Sequence, residues 1–446
     1  MDRTITYLLT AARSPKTYVL LGLVVAAVAI PALQPLFSDA AAPPPPPKVT
    51  HLSAEQCVRR VIYHSPQRPG YTAWTGAWVM ADQSLMMGFT QATGPVSPAR
   101  RASAPQGLKE RLGVGSQVDF WGLRLSSMLR RSVDGGATWS GSDSDRFKAV
   151  YPNGYSAGAD IGLRDGSVLR RVNGWDQMQE QSLPRTAYLQ RLAPGKKQWS
   201  TPQVLMDPRR YVYQIGRIRR LRDGRLIALG QYWEARAGSP RTRLESARAG
   251  FLLMVSEDEG RTWRRNPVDA ARGGSYLSVG EWDAAELANG DLLAVFRTRR
   301  SSSSSVQERR QAILRKVGRG WELTRVHQAP LPHSGHPELL ATREGAVLHI
   351  ATTGVHWTSN GGRSWRPLGF ASSTTSYGST YYPRSLQTRD GTVYVFGHRG
   401  ADDPYGQVDQ AIVMDKFRLS IRTDVDTGVE PETTFQSSAT AGSGAC

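Results

Sequence analysis

Apolar runs broken by short polar turns recur along this chain in a strand–turn–strand rhythm. Six of the turns fall at Asp82-Gln83, Asp165-Gly166, Asp223-Gly224, Asn289-Gly290, Glu344-Gly345 and Asp390-Gly391. Residues 220–233 (RLRDGRLIALGQYW), 286–298 (ELANGDLLAVFRT) and 387–399 (QTRDGTVYVFGHR) show the pattern most clearly. Asp or Asn followed by Gly accepts the left-handed backbone of a tight hairpin, and the flanking Leu, Ile, Val, Tyr and Phe favour strands. The intervals between turns fit one four-stranded sheet each, which predicts an all-β, six-bladed propeller. Such a ring leaves an open sheet edge unless its two ends pair, so Val58 to Tyr63 is expected to lie beside Ala411 to Met414 in the last blade.

A second repeat is more specific. Ser132 to Trp139, Ser256 to Trp263 and Thr358 to Trp365 share the form S/T-x-D/N-x-G-x-T/S-W. The hydroxyl and carboxyl or amide groups can cross-link a hairpin turn, and the Trp supplies a large ring to bury beneath it. The three copies are about two blades apart, which places them in blades one, three and five.

The ends differ from the middle. Arg3, Arg13 and Lys16 precede an apolar run from Tyr18 to Leu33, and Pro43 to Pro47 is unbroken proline. This predicts a basic cytoplasmic N-terminus (1–16), a transmembrane anchor or signal segment (17–37), a stiff Pro-rich linker (38–50), the propeller (51–426) and a disordered Ser/Thr/Gly/Ala tail (427–446). An uncleaved single-pass anchor is preferred over a cleaved signal, because Pro43 would directly follow the A-x-A site at Ala40 to Ala42; either way the propeller is exported. Gly94 to Gly115 reads as an insertion in the first blade, and Ser301 to Ser305 as a solvated hairpin tip.

Lys and Arg number 56 against 38 Asp and Glu, a net charge of +18 that favours anionic partners such as polysaccharide or a phospholipid surface. No nucleic-acid recognition motif accompanies the charge, so no nucleic acid is expected. Two cysteines, Cys57 and Cys446, exclude a disulfide scaffold and a Cys-based metal site, although the pair itself can bridge in an exported protein. No metal and no cofactor are expected. His333, His336, His349, His356 and His398 cluster late in the chain and read as sugar contacts or surface residues rather than metal ligands.

Two stretches carry chemistry. Glu281 opens one strand and Arg297 closes the next, sixteen positions later, so a hairpin brings both to one end of blade four. Tyr382, in Tyr381-Tyr382-Pro383-Arg384-Ser385-Leu386, stands eight residues ahead of the Asp390-Gly391 turn. With the three Asp-containing boxes, these stretches resemble the sialidase superfamily over about residues 55–420. The resemblance implies an exo-acting glycoside hydrolase with Tyr382 as nucleophile and Glu281 as its base. It also implies Asp119, thirteen positions before Ser132, as acid/base and Arg297 as the anion contact. A neutral phenol suits a substrate whose anomeric carbon bears a carboxylate, which would repel an Asp or Glu nucleophile.

The family's three-arginine clamp is incomplete here. The opening strand reads Tyr71 to Gly76 without Arg, and His356 stands where the third is expected. Arg384, Arg217 and Arg399 are the basic residues able to substitute. His336 and Trp282 complete the expected substrate contacts, with Trp74, Trp78, Trp121 and Trp233 as further sugar-stacking candidates. The substrate class is an acidic or modified sugar. A glycan-binding propeller without turnover and a protein-assembly platform are the alternatives.

Overall fold

The computed structural model describes residues 49–64, 71–93, 124–140, 149–152, 155–174, 186–234, 249–268, 281–299, 306–332, 335–370, 381–399 and 411–423. Val49 and Thr50, expected in the linker, open a strand instead; the linker up to Lys48 and the segments expected to be anchor and tail lie outside the described residues. So do the Gly94 to Gly115 insertion, Ser301 to Ser305, Asp119, Trp121, His333 and Cys446. Among the described residues no helix is long and apolar enough to cross a membrane.

The strand order is a propeller of six sheets. β1 (Val49–His64) comes first in the chain but serves the last blade. Blade one is β2 (Tyr71–Val79), β3 (Leu85–Thr93), β4 (Arg124–Ser132) and β5 (Ala149–Pro152). Blade two is β6 (Tyr155–Gly162), β7 (Val168–Gly174) and β8 (Tyr188–Leu192), extended by a bridge from Leu189 to Gln203. Blade three is β9 (Tyr211–Arg220), β10 (Leu226–Glu234), β11 (Ala249–Ser256) and β12 (Arg264–Arg265). Blade four is β13 (Trp282–Glu286), β14 (Leu292–Arg299), β15 (Gln307–Val317) and β16 (Gly320–Leu323), with β17 (His327–Gln328) also on β15. Blade five is β18 (Glu338–Ala341), β19 (Val347–Ala351), β20 (Gly354–Thr358) and β21 (Arg366–Pro367). β22 (Gly369–Phe370) then lies parallel to β1, and blade six runs β23 (Tyr381–Gln387), β24 (Thr392–Arg399), β25 (Ala411–Thr423) and β1.

The innermost strands β2, β6, β9, β13, β18 and β23 meet their neighbours in turn around the axis, and β23 returns to β2. Closure follows the expected pairing: Arg60 opposes Met414, Val61 opposes Val413 and Tyr63 opposes Ile412. The paired strand is longer than expected and begins at Val49, with bulges that let one long strand follow the twist.

Apolar cores fill the seams between blades rather than a single centre. Leu229, Phe251 and Leu253 of blade three pack on Trp282, Phe296 and Trp321 of blade four. Leu348, Ile350 and Trp357 of blade five pack on Val393, Val395 and Phe417 of blade six. Both faces of each blade are therefore buried, which explains why strands such as Leu226 to Gly230 are apolar without alternation.

All six expected turns join the first and second strands of a blade with one geometry. In each, the residue at the left-handed position donates its N–H three residues back, as Gly224 does to Leu221. Five blades place Gly there, but blade one places Gln83 at φ 66°. A side chain in that region costs on the order of 1 kcal/mol. Gln83→Gly is expected to raise stability by about 0.5–1 kcal/mol, seen as a higher denaturant midpoint at unchanged slope.

The three boxes sit between the third and fourth strands of blades one, three and five. In the second, Ser256 Oγ bonds Asp258 Oδ1 at 2.8 Å and accepts from Gly260 N at 2.8 Å, while Thr262 N donates to Asp258 Oδ1 at 2.8 Å. The first repeats this through Ser132, Asp134, Gly136 and Thr138, and the third substitutes Thr358, Asn360, Gly362 and Ser364. Trp139, Trp263 and Trp365 each close the seam to the preceding blade. Burial opposes the charge on Asp258, but the Thr262 and Ser256 bonds prevail and hold its carboxyl down to about 2. That increment of stability is complete above about pH 4 and disappears as pH falls through about 2. Asp258→Ala is expected to cost about 1–2 kcal/mol and Asp258→Asn much less, since Asn360 fills the same place; urea titration of the two variants checks the order.

Candidate active site

Both chemistry-bearing stretches arrive at the end of the axis opposite the boxes. β13 and β23 start there, so Glu281, just before β13, and Tyr382, second in β23, meet across blade five's inner strand. Tyr382 Oη donates to Glu281 Oε1 at 2.9 Å. Arg297 returns along β14 to the same level: its N–H bonds the Glu281 carbonyl at 2.9 Å and its Nη1 reaches Glu281 Oε2 at 2.6 Å. Arg297 Nε donates to Gln307 Oε1 at 2.9 Å.

Tyr382 is held in an unusual backbone. Its φ is 48°, at a bulge where β23 slips against β24 between Tyr381 and Arg384. An aromatic residue in the left-handed region costs on the order of 1–3 kcal/mol, so neighbours must hold it there. Thr75, fully buried in β2, donates its hydroxyl to the Tyr382 carbonyl at 2.7 Å. The phenol ring lies between imidazoles, with His398 stacked at 5.9 Å and His336 at 5.7 Å.

Burial pushes the Glu281 carboxyl up, but the Arg297 charge and the hydrogen bonds from Arg297 and Tyr382 hold it below the ordinary carboxylate range, with His336 adding to this only where it is protonated. His336 is itself pulled down to about 3 by burial and by Arg384. It is therefore neutral at pH 7, and the Arg297 pair keeps Glu281 ionised. An ionised carboxylate accepting the phenol's proton is the arrangement general-base activation needs.

Below this couple the inner strands are tied by buried charges. Glu338 Oε1 accepts from Arg217 Nη2 at 3.0 Å and from Ser385 N and Oγ at 2.8 Å each, while Arg384 Nη1 donates to Glu338 Oε2 at 3.3 Å. Asp283 receives Arg219 Nε at 2.8 Å and Leu339 N at 2.7 Å, and Arg219 Nη2 also reaches Asp283 and the Leu339 carbonyl. Blades three to six are thus joined through two carboxylates at the axis.

Several expected substrate contacts take other positions. Trp282 is 1% exposed, donates Nε1 to the Gly230 carbonyl at 2.6 Å and stacks on Phe296; it belongs to the seam core, not to a sugar platform. Trp78 is likewise core. Arg384 is 2% exposed and points its guanidinium inward to Glu338 and, at 2.9 Å, to the Gly216 carbonyl. His356, in the third strand of blade five, lies beside His349 at 6.4 Å, and no described contact joins it to Tyr382 or Glu281. His336, His349 and His398 are buried rather than at the surface. Cys57 is in disulfide form; no group of His, Cys, Asp and Glu suited to a metal ion occurs among the described residues. Thr75, Gln307 and the Asp283–Glu338 network escaped sequence reasoning. Charged residues inside otherwise apolar inner strands, Asp283 above all, were the available signal.

No family model matches the chain, and no curated protein matches it by sequence. Solved structures that resemble it include an α-L-arabinofuranosidase from Fusarium graminearum bound to an iminosugar inhibitor, at 12% identity and TM-score 0.51 over 80% of this chain and 97% of that one. An intramolecular trans-sialidase from Ruminococcus gnavus bound to oseltamivir carboxylate matches at 11% identity and TM-score 0.50 over 83% and 98%. A protein of unknown function from Dyadobacter fermentans matches at 16% identity and TM-score 0.49 over 82% and 98%. At such identities the likeness of the arabinofuranosidase and the trans-sialidase establishes the fold alone, a six-bladed β-propeller.

Proposed function

We propose that this chain is a retaining exo-glycoside hydrolase acting on an acidic or modified sugar. The observation that carries this is the 2.9 Å bond from the strained Tyr382 phenol to an ionised Glu281 paired with Arg297. Glu281 takes the phenol proton as the Tyr oxygen attacks the anomeric carbon, and Asp119 protonates the departing oxygen. Water then displaces the tyrosyl oxygen, with Asp119 as base and Glu281 returning the proton. His336 supports the Tyr382 ring from beneath, and Arg384, Trp282 and His356 act through the packing of the surrounding blades rather than by touching the sugar. Segment 17–37 tethers the exported propeller to the cell membrane. The fold shared with two carbohydrate-directed proteins supports the reaction class.

The test is a panel of fluorogenic glycosides, sialosides and arabinofuranosides included, offered to purified protein. Release from at least one, lost in Glu281→Gln, is expected; equal rates in both proteins remove the assignment. A glycan-binding propeller without turnover is the second function, favoured by the engagement of Arg297 with Glu281 and Gln307 in place of a three-arginine clamp. Glycan-array binding unchanged by Tyr382→Phe, with no hydrolysis, identifies it.

A further inference from the structure

Two bulges meet where blades six and one close the ring. β2 slips against β3 between Ala73 and Gly76, and β23 slips against β24 between Tyr381 and Arg384. The first bulge holds Thr75, and the second holds Tyr382 and Pro383. Pro383 brings no N–H, so it cannot donate to the ladder with β24. A residue ahead of proline also prefers an extended backbone, with φ of about −120°. Tyr382, at φ 48°, therefore stands against two steric preferences at once.

The hydroxyl of Thr75 crosses from one bulge to the other. Thr75 is wholly buried, and its Oγ1 lies 2.7 Å from the Tyr382 carbonyl oxygen and 3.5 Å from that of Phe396 on β24. One hydroxyl proton faces two acceptors, and the shorter bond, to Tyr382, is the stronger. His336 and His398 pack on the phenol ring, whereas Thr75 acts on the backbone that aims it. That backbone sets the direction of the Tyr382 Cα–Cβ bond, and Oη lies at the far end of the side chain. Return of φ to the extended range re-aims the bond and carries Oη away from Glu281, which it now meets at 2.9 Å.

We propose that Thr75 is a positioning residue: its hydroxyl holds the Tyr382 backbone in the left-handed region and so keeps the phenol on the Glu281 carboxylate. The kinetic half of its test rests on the glycoside-hydrolase reading above, and the structural half does not. Three variants of the full chain are compared with wild type. Thr75→Val keeps the branched shape without the hydroxyl, Thr75→Ala is a second variant without it, and Thr75→Ser retains it. On a glycoside that wild type hydrolyses, Val and Ala are expected to lower kcat by about 10²-fold with KM changed by no more than a factor of a few. Thr75→Ser is expected to stay close to wild type, which a loss of packing alone would not give. Crystal structures of the Val and Ala variants are expected to show Tyr382 at negative φ, with Oη beyond hydrogen-bonding reach of Glu281. If wild type hydrolyses no glycoside, the functional reading falls, and the crystal comparison still decides the role of Thr75. Tyr382 unmoved in both variants that lack the hydroxyl, or Thr75→Ser as slow as Thr75→Ala, overturns the proposal.

Discussion

Tyr382→Phe lowers turnover of any hydrolysed glycoside by on the order of 10³-fold or more, with a melting temperature close to that of wild type. The phenol oxygen makes one described hydrogen bond, to Glu281, whereas the ring is packed between His336 and His398. Phe keeps the packing and removes only the oxygen proposed to attack. Mass spectrometry sharpens the result: a fluorinated glycoside that traps the intermediate adds its glycosyl mass to wild type on the peptide bearing Tyr382, and adds none to the variant. Labelling elsewhere, or turnover within a factor of a few of wild type, removes Tyr382 from the mechanism.

The second large effect is on stability. Glu338→Ala is expected to cost about 3–5 kcal/mol, because it leaves the Arg217 and Arg384 guanidinium groups buried without their carboxylate. The urea midpoint should fall far more than for surface substitutions. A loss below about 1 kcal/mol would mean that water, not Glu338, satisfies these arginines. Acid acts on the same network through Asp283. Burial raises its carboxyl, but Arg219, then Arg217 and the Leu339 N–H, depress it well below the ordinary range. A depressed carboxylate contributes its stability fully above about pH 4 and loses it as pH falls through the folded value. Stability at pH 3 should therefore be clearly lower than at pH 6, and less so in Asp283→Asn.

Much of the architecture was legible because its signals are local. An Asp-Gly or Asn-Gly turn favours its hairpin whatever surrounds it; four of the six turns are spelled so, Asp82-Gln83 and Glu344-Gly345 take the same place in the other two blades, and the boxes fall in alternate ones. The pairing of Val58 to Tyr63 with Ala411 to Met414 followed from the need to close the ring. Glu281 and Arg297, sixteen positions apart on one hairpin, and Tyr382, eight residues ahead of the Asp390-Gly391 turn, stand out through their resemblance to the sialidase superfamily. What escaped depends on which face of an inner strand a side chain takes. Trp282 and Ala284 turn toward the blade-three seam, while Asp283 between them meets Arg219. A one-residue change of parity thus decides between sugar platform and core. Arg384 likewise sits two residues past Tyr382, but the intervening bulge redirects it to Glu338. Burial of His336, His349 and His398 could not be read from composition, since neutral imidazoles occupy cores and surfaces alike.

The place of β1 in blade six has a consequence for biosynthesis. This strand leaves the ribosome before any of the blades, yet the strand it pairs with, β25, is made several hundred residues later. At usual elongation rates the wait is about 20–70 s. Throughout it, the edge that ends beside β25 has no partner, and Arg59 lacks the Asp415 carboxylate it grips at 2.6 and 3.0 Å in the finished molecule. Charged side chains at Glu55, Arg59 and Arg60 discourage a waiting edge from joining a neighbouring nascent chain. Maturation is thereby set to a late, all-or-none clasp, and chains stalled or cut before Ala411 should be handled by the cell as unfolded.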